Sequence, residues 1–200
     1  TFTSAFDGGL DFTVAAFDDA AVEGTETITA TLSNETVTSG SASISTAVAN
    51  VNITEVDAGI GFALTADQTS ISEETAASVT FTVTMSGGPL VGGIQATVDI
   101  DPSGSASDGA DYSNFYAAID TAIGLEAGVS RSGSTLTFTS AFDGGLDFTV
   151  AAIDDASVEG TETITATLSN ESVTSGSASI STAVANVDIT EVDASIDFDI

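Results

Sequence analysis

The chain has 200 residues, of which 30 are Asp or Glu and only one, Arg131, is basic, so its formal net charge is -29. This balance excludes nucleic acid and anionic membrane surfaces as partners, because binding to phosphate groups requires Lys and Arg side chains. Zinc binding and catalysis by His, Cys or Lys are disfavoured as well, since the chain contains none of these residues.

Hydrophobic residues nevertheless make up 42% of the chain, and they alternate with polar residues in several short runs. Alternation with a period of two predicts β-strands with one buried face. No apolar stretch is long enough to cross a bilayer as a helix, so membrane insertion is not expected. In chain order, the residues predicted to face inward are Val79, Phe81, Val83 and Met85; Ile94, Ala96, Val98 and Ile100; Phe148, Val150 and Ala152; Ile164, Ala166 and Leu168; and Val187 and Ile189. The pattern predicts an all-β protein built as an antiparallel β-sandwich.

The sequence repeats itself at an offset of 136 residues. Residues 1–64 align without a gap to residues 137–200, with eight differences and 56 identical positions. A period this long predicts tandem repeats in which each repeat is a self-contained domain. We predict that residues 1–57 are the C-terminal part of one repeat, that residues 58–193 are one complete repeat, and that residues 194–200 form the first strand of the next. Because an isolated half-sandwich leaves its apolar face unburied, we expect residues 1–57 to be completed by chain or subunit material outside this sequence.

Carboxylates continue the inward-facing alternation of several predicted strands beyond their ends. Asp154 follows Ala152, Glu162 precedes Ile164, and Glu191 follows Ile189 in the same parity. If successive strands are antiparallel, these strand ends meet at one pole of the sandwich. The acids assigned to this pole, including those in adjoining loops, are Glu73, Glu74, Asp111, Asp154, Asp155, Glu159, Glu162, Glu191 and Asp193 in the complete repeat, and Asp18, Asp19, Glu23, Glu26, Glu55 and Asp57 in the preceding one.

Carboxylates that converge without Lys or Arg cannot all stay ionised unless a cation neutralises them. Calcium takes about six to eight oxygen ligands and tolerates irregular loops better than magnesium, so we predict Ca²⁺ sites at this pole. The alternative interpretation is a solvated acidic surface in a protein adapted to salt. Calcium is favoured because the acids cluster at strand ends instead of spreading evenly along the chain.

The segment from Ile153 to Asn170 resembles the signature of the Calx-beta domain. It contains a double acid, acids five and eight residues after the first, and an alternating strand that ends in Leu-Ser-Asn. Further resemblance lies in Ser72-Glu73-Glu74, in Gly109-Ala110-Asp111-Tyr112 and in Ile189-Thr190-Glu191-Val192-Asp193. The resemblance spans residues 58–193 and implies an Ig-like sandwich of the kind found in sodium–calcium exchangers and many large bacterial surface proteins. It also implies calcium ligands at Asp111, Asp154, Asp155, Glu159, Glu162 and either Glu73 or Glu74.

Two features depart from the Calx-beta pattern. The strongest binders of that family end in three Asp, whereas this repeat ends in Glu191-Val192-Asp193. The segment 112–133 is also longer than the usual hairpin at this place, and it contains both tyrosines and Arg131. We predict that this insertion is a packed loop or short helix that covers one sandwich edge. The alternative is a lateral or ligand contact, because Tyr and Arg are typical interface residues.

Together these features predict a non-enzymatic, calcium-binding structural repeat of a secreted or cell-surface fibre or giant adhesin, in which calcium rigidifies the junction between repeats. The expected partners are neighbouring repeats of the same chain or identical subunits, with fibre–fibre or cell-surface contacts beyond them. The alternative function is an adhesive module that binds a partner or a glycan through the 112–133 insertion or a sheet face.

Overall fold

The computed structural model describes residues 1–3, 5–19, 21–88, 90–193 and 196. The chain divides into two compact units, unit 1 over Thr1–Glu55 and unit 2 over Val56–Ile200. The predicted first strand of a further repeat, residues 194–200, lies outside the described residues except for Ile196. Within the described part of the chain, no helix reaches the length and apolarity of a membrane span.

Unit 1 contains one antiparallel pair of strands, β1 (Glu26–Thr31) and β2 (Val48–Ile53). Thr27 and Thr29 donate side-chain hydrogen bonds across this pair to Asn52 and Asn50, respectively. The apolar side chains of the unit remain largely exposed to solvent; they include Phe2, Leu10, Phe12, Val14, Leu32 and Val51.

Unit 2 contains ten strands and one helix among its described residues. They are β3 (Ala58–Ala66), β4 (Ser70–Ser72), β5 (Ser78–Gly87), β6 (Ala96–Gly104), α1 (Phe115–Ile123), β7 (Val129–Ser132), β8 (Thr135–Phe138), β9 (Gly145–Ala151), β10 (Glu162–Val173), β11 (Gly176–Thr182) and β12 (Val184–Thr190). One sheet has the strand order β4-β12-β10-β6-β8-β7, and the other has the order β11-β3-β5-β9. Their inward faces form one hydrophobic core, so unit 2 is an all-β sandwich, as predicted.

The predicted alternation is confirmed in the buried faces of the strands. Val79, Phe81 and Val83 of β5 are fully buried, and their neighbours along the strand are half-buried or exposed. The same pattern occurs in β6, β9, β10 and β12. The sequence pattern does not identify the short strands β4, β7, β8 and β11, because runs of three to seven residues rich in Ser and Thr have too few apolar positions to show a period.

Two strand pairings are parallel, β11 with β3 and β12 with β4, which departs from the purely antiparallel prediction. Both β4 and β11 lie in the sheet opposite that of the strand preceding them, so hairpin geometry does not fix their direction. The crossing into β11 requires glycine at Gly176, whose φ is +109°. A Cβ there would lie 2.2 Å from the carbonyl oxygen of Ala58.

The insertion forms the predicted short helix. In α1, Phe115 and Ile119 are fully buried, and the Phe115 ring lies 5.0 Å from that of Phe148 on edge strand β9. Arg131 on β7 donates two hydrogen bonds to Asp120 of α1, and its guanidinium lies 4.8 Å from the Tyr116 ring centroid. The helix therefore closes one side of the sandwich, and the Phe115 and Tyr116 rings and the Arg131 guanidinium make contacts within the domain.

Candidate metal centre

Five separate parts of unit 2 deliver carboxylates to one end of the sandwich, here called the acidic pole. They are the residues after β4, after β6, after β9, at the start of β10 and after β12. The register explains the convergence, because Glu162 at the start of β10 pairs with Ile189 near the end of β12. Two backbone hydrogen bonds fasten the loops to each other, from the N–H of Glu73 to the Thr190 carbonyl (3.2 Å) and from that of Ile153 to the Asp111 carbonyl (2.9 Å).

The first set of acids at the pole, the Asp111 group, consists of Asp111, Glu159 and Glu162. One carboxylate oxygen from each lies within 4.8 Å of the others. Asp111 is only 9% exposed and accepts a 2.5 Å hydrogen bond from the backbone N–H of Ser107, which fixes its orientation. No sequence motif predicts this hydrogen bond, because it depends on the conformation of the loop that follows β6.

The Asp111 group is electrostatically unfavourable without a cation. Burial, followed by the hydrogen bond and charge of Asp111 and the charges of Glu159 and Glu73, raises the pKa of Glu162 to about 7. The pKa of Glu159 is raised by burial and by the nearby charges of Asp111, Asp155 and Glu191. A cation bound among these oxygens would offset the repulsion between carboxylates that contributes to the raised pKa of Glu162 and of Glu159.

The second set, the Glu191 group, consists of Glu74, Glu191 and Asp193, again with one oxygen from each within 4.8 Å of the others. The backbone N–H of Asp193 donates a 2.5 Å hydrogen bond to Oε1 of Glu191. The other oxygen, Oε2, is buried and has no hydrogen-bond partner among the described residues. Burial and then the charges of Asp193, Asp154 and Glu191 raise the pKa of Glu74.

Glu73 connects the two groups. It is 5% exposed and its Oε1 accepts a 3.3 Å hydrogen bond from the backbone N–H of Asp155. Burial is the largest cause of its raised pKa, followed among the raising causes by the charges of Glu191, Asp155 and Glu159. A buried carboxylate with acidic neighbours from both groups is costly unless a cation compensates it.

The two acids of the Asp154-Asp155 pair occupy the exposed rim of the pole. Asp155 uses Oδ1 to accept a 2.6 Å hydrogen bond from the backbone N–H of Ser157, which shapes the loop after β9. Asp154 lies close enough to Glu74 for its charge to contribute to the raised pKa of that residue.

Unit 1 presents its equivalent acids differently. The pKa of Glu23 is raised by the charges of Glu26 and Asp19, by burial and by the charge of Glu55, so these four acids lie near one another. Among the described residues, however, Asp18, Asp19, Glu23, Glu26 and Glu55 do not form a set of three with converging oxygens. Asp19 instead accepts a hydrogen bond from the backbone N–H of Ala21 (2.8 Å).

Asp57 lies in unit 2, directly before β3, and accepts a hydrogen bond from the hydroxyl of Ser175. Because β3 begins beside the end of β5, this position is at the end of the sandwich opposite Glu73, which precedes β5. Its sequence equivalent, Asp193, belongs to the Glu191 group.

The residues of the acidic pole fit a hard divalent cation. The candidate ligand atoms of both groups are carboxylate oxygens, and Glu191 Oε2 is a buried acceptor for which the described part of the chain provides no donor. The single cationic side chain of the chain, Arg131, is bound to Asp120 and is not available to neutralise these acids. Asp99 and Asp101 stand on β6 outside the pole, where they accept hydrogen bonds from Thr135 and from Tyr116.

No protein-family model matches the chain, and no match was found among curated proteins. Among solved structures, the apo-form Calx CBD1 domain is similar at 19% identity and a TM-score of 0.41, over 68% of this chain and 98% of that one. The CBD12 structure from CALX1.2 is similar at 20% identity and a TM-score of 0.41, over 64% of this chain and 43% of that one. A structure described as the calcium binding domain CBD12 of CALX1.1 is similar at 20% identity and a TM-score of 0.37, with the same coverage.

Proposed function

We propose that unit 2 binds Ca²⁺ at the acidic pole and serves as a non-enzymatic structural repeat of an extracellular fibre or giant adhesin. The observation that carries the calcium proposal is the convergence of two groups of three carboxylates, bridged by a buried Glu73 and free of any Lys or Arg. A solvated acidic surface accounts less well for this arrangement, since exposed acids can move apart whereas Glu73, Asp111 and Glu191 Oε2 are held out of water.

The residues that would hold calcium are those of the Asp111 group and the Glu191 group, with Glu73 between them and Asp154 and Asp155 at the rim. Bound calcium would supply the positive charge that the protein lacks at this pole. The loops after β4, β6, β9 and β12 all contribute acids, so a common cation would tie together segments that the sandwich core alone does not fix. Calcium would therefore stabilise the folded state by mass action.

A structural role for the repeat is supported by the position of the Glu191 group. Glu191 and Asp193 directly follow β12, the last strand among the described residues of unit 2, at the place where a further repeat would begin according to the 136-residue period. Calcium bound here would restrict the backbone of this junction, which is the mechanism by which we expect it to rigidify a tandem array. The chain contains no His, Cys or Lys that could act as a general base or nucleophile beside these carboxylates, and our proposal is therefore of a non-enzymatic role.

Calcium titration of the metal-free protein tests the proposal. Ligand at about 100 times its Kd stabilises a protein by about 2.7 kcal/mol, so we expect calcium to raise the Tm of unit 2 by about 5–10 °C. The Glu162→Gln variant should lose a large part of this shift. Glu171→Gln is the matched control, because it makes the same change on β10 outside the acidic pole. Equal melting curves with calcium and with chelator would contradict the proposal.

A further inference from the structure

Each sheet of unit 2 ends in two edge strands, and three of these four edges are short or covered. Strand β4 has only three residues, and β7 has four, one of which is the charged Arg131. Strand β9 carries Asp147 and is capped at Ala151, whose N–H donates to the Ser113 hydroxyl while its carbonyl accepts from the Ser113 N–H. Such features prevent a sheet edge from pairing with another chain.

The fourth edge, β11, is not short, charged or capped, although its register with β3 shifts once, between Ile180 and Thr182. Its seven residues, Gly-Ser-Ala-Ser-Ile-Ser-Thr, contain no charge and no proline. The strand pairs with β3 on one side, and the described residues provide no backbone partner on its other side. The side chains of Ser177, Ser179 and Ser181 are exposed. A long and uncharged edge strand presents a row of N–H and C=O groups to which a further strand can pair.

The distribution of acids along the chain determines which partner can pair with this edge. With a net charge of -29, two copies of the chain repel each other wherever acids face acids. Residues 172–187, which include β11, contain no acid, although the chain as a whole has 30. Two copies can therefore approach through β11 without placing carboxylates opposite one another on the paired strands.

We propose that β11 is a homotypic docking strand that pairs antiparallel with β11 of a second copy of this chain, about a two-fold axis at Ser179. In this register Ser177 lies opposite Ser181 of the partner subunit and Ala178 lies opposite Ile180 of the partner subunit. The paired residues carry no charge, so no like charges oppose each other across the strands, and the contact is self-complementary and closes at two copies. The two four-stranded sheets become one continuous eight-stranded sheet. In a tandem array this contact would recur once per repeat and join neighbouring fibres side by side.

A cysteine at the two-fold axis tests the register directly, because the chain contains no cysteine of its own. Directly opposed residues of antiparallel strands have Cα atoms about 4.5–5.5 Å apart, a separation that a disulfide spans. In the full chain, Ser179→Cys should form a covalent dimer under oxidising conditions at least about tenfold faster than a cysteine that meets its partner only by collision. The measurement is made in 1 M NaCl, where the Debye length of about 3 Å screens the repulsion between copies.

The repeat itself supplies the matched control. Residues 40–46 have the same seven-residue sequence as β11 but are not in a strand, so Ser43→Cys places a thiol in an identical local sequence without a sheet edge. Dimer formation at the same rate for Ser43→Cys and Ser179→Cys would overturn the proposal.

Two double variants test the contact without the formation of a disulfide. The double substitution Ser177→Glu and Ser181→Glu puts like charges opposite each other in the proposed register, whereas Ser41→Glu with Ser45→Glu makes the same change in unit 1. Sedimentation velocity in 1 M NaCl should show a dimer for the parent chain and for the Ser41/Ser45 variant, and a monomer for the Ser177/Ser181 variant with an unchanged Tm. A parent chain that stays monomeric, or a dimer that survives both pairs of substitutions, would rule out the β11 contact. Since the test needs no calcium, its outcome is separate from that of the calcium titration.

Discussion

Glu162 is the residue at which the electrostatic cost of the metal-free pole is concentrated. It begins β10 among the carboxylates of Asp111, Glu159 and Glu73, and its pKa is raised to about 7. Because the pKa is higher in the folded than in the unfolded state, the folded protein binds more protons between about pH 4.3 and pH 7. The stability contributed by protonated Glu162 is fully present below the unfolded pKa and is lost as the pH rises through the folded one. The raised pKa values of Glu73, Glu74 and Glu159 act in the same direction.

We therefore expect the metal-free protein to become more stable as the pH falls from 8 to 5.5. One proton taken up on folding changes the free energy of unfolding by at most about 1.4 kcal/mol per pH unit. In Glu162→Gln the slope should be shallower and the Tm at pH 8 higher than in the parent chain, while Glu171→Gln should follow the parent. Thermal melts of metal-free protein at several pH values measure this. If the plot of Tm against pH for Glu162→Gln superimposes on that of the parent chain, the Glu162 carboxyl does not cause the pH dependence of stability.

At the level of elements, nearly the same sequence occurs twice in this chain, once within strands of a closed sandwich and once largely exposed to solvent. Phe148 in β9 is 2% exposed, whereas its equivalent Phe12 is 75% exposed; Val150 is fully buried, whereas Val14 is 59% exposed. The local sequences are nearly identical, so the difference comes from β3, β5 and β6 and from α1, which cover the inward face of β9 and β10 in unit 2. Residues 58–136 thus supply what residues 1–55 lack.

A pair of substitutions measures this difference. Phe148→Ala should lower the free energy of unfolding of unit 2 by about 3–5 kcal/mol, because the ring packs against Phe81 and Phe115 at centroid distances of 5.5 and 5.0 Å. Phe12→Ala should change the free energy of unfolding by less than about 0.5 kcal/mol, since this substitution removes an exposed side chain. Chemical denaturation of both variants provides the comparison, and similar losses in the two would mean that unit 1 buries Phe12 after all.

At the level of the whole molecule, stability depends on how the charge of -29 is compensated. Arg131, the one basic side chain in the sequence, forms an ion pair with Asp120 of α1 and so neutralises no carboxylate of the acidic pole. Compensation must therefore come from ions in solution, either through screening or through binding at specific sites.

These two forms of compensation differ in their salt dependence. Raising NaCl from 0.05 to 1 M should raise the Tm of the metal-free chain, because the Debye length falls from more than 10 Å to about 3 Å and repulsion between acids is screened. With calcium present the rise should be smaller, since the closest acids are already neutralised. Melting curves at four salt concentrations, with and without calcium, test this. An equal salt response in both series would indicate that calcium acts only as general ionic strength.

Much of the fold could be read from residue patterns, because burial of one strand face imposes a period of two wherever a strand has enough apolar residues. Val79, Phe81 and Val83 are an example, and Ile164, Ala166 and Leu168 are another. The alternation does not identify the edge strand β11, since its Ser, Ala and Thr residues bury little apolar surface. Its parallel pairing with β3 depends on a crossing at Gly176 that no local sequence pattern predicts.

For the acidic pole, the alternation of apolar residues is enough to predict which acids lie near strand ends, because the parity of each strand can be followed past its last apolar residue. How these acids group depends on the packing of the loops. It brings Asp111 to Glu159 and Glu162, brings Glu74 to Glu191 and Asp193, and places Asp57 beside Ser175. The physical reason is that loop conformations, such as the contact from Ser107 to Asp111, depend on backbone hydrogen bonds between segments distant in the chain. Likewise, the composition gives the net charge of -29, whereas the packing shows which of the carboxylates are buried.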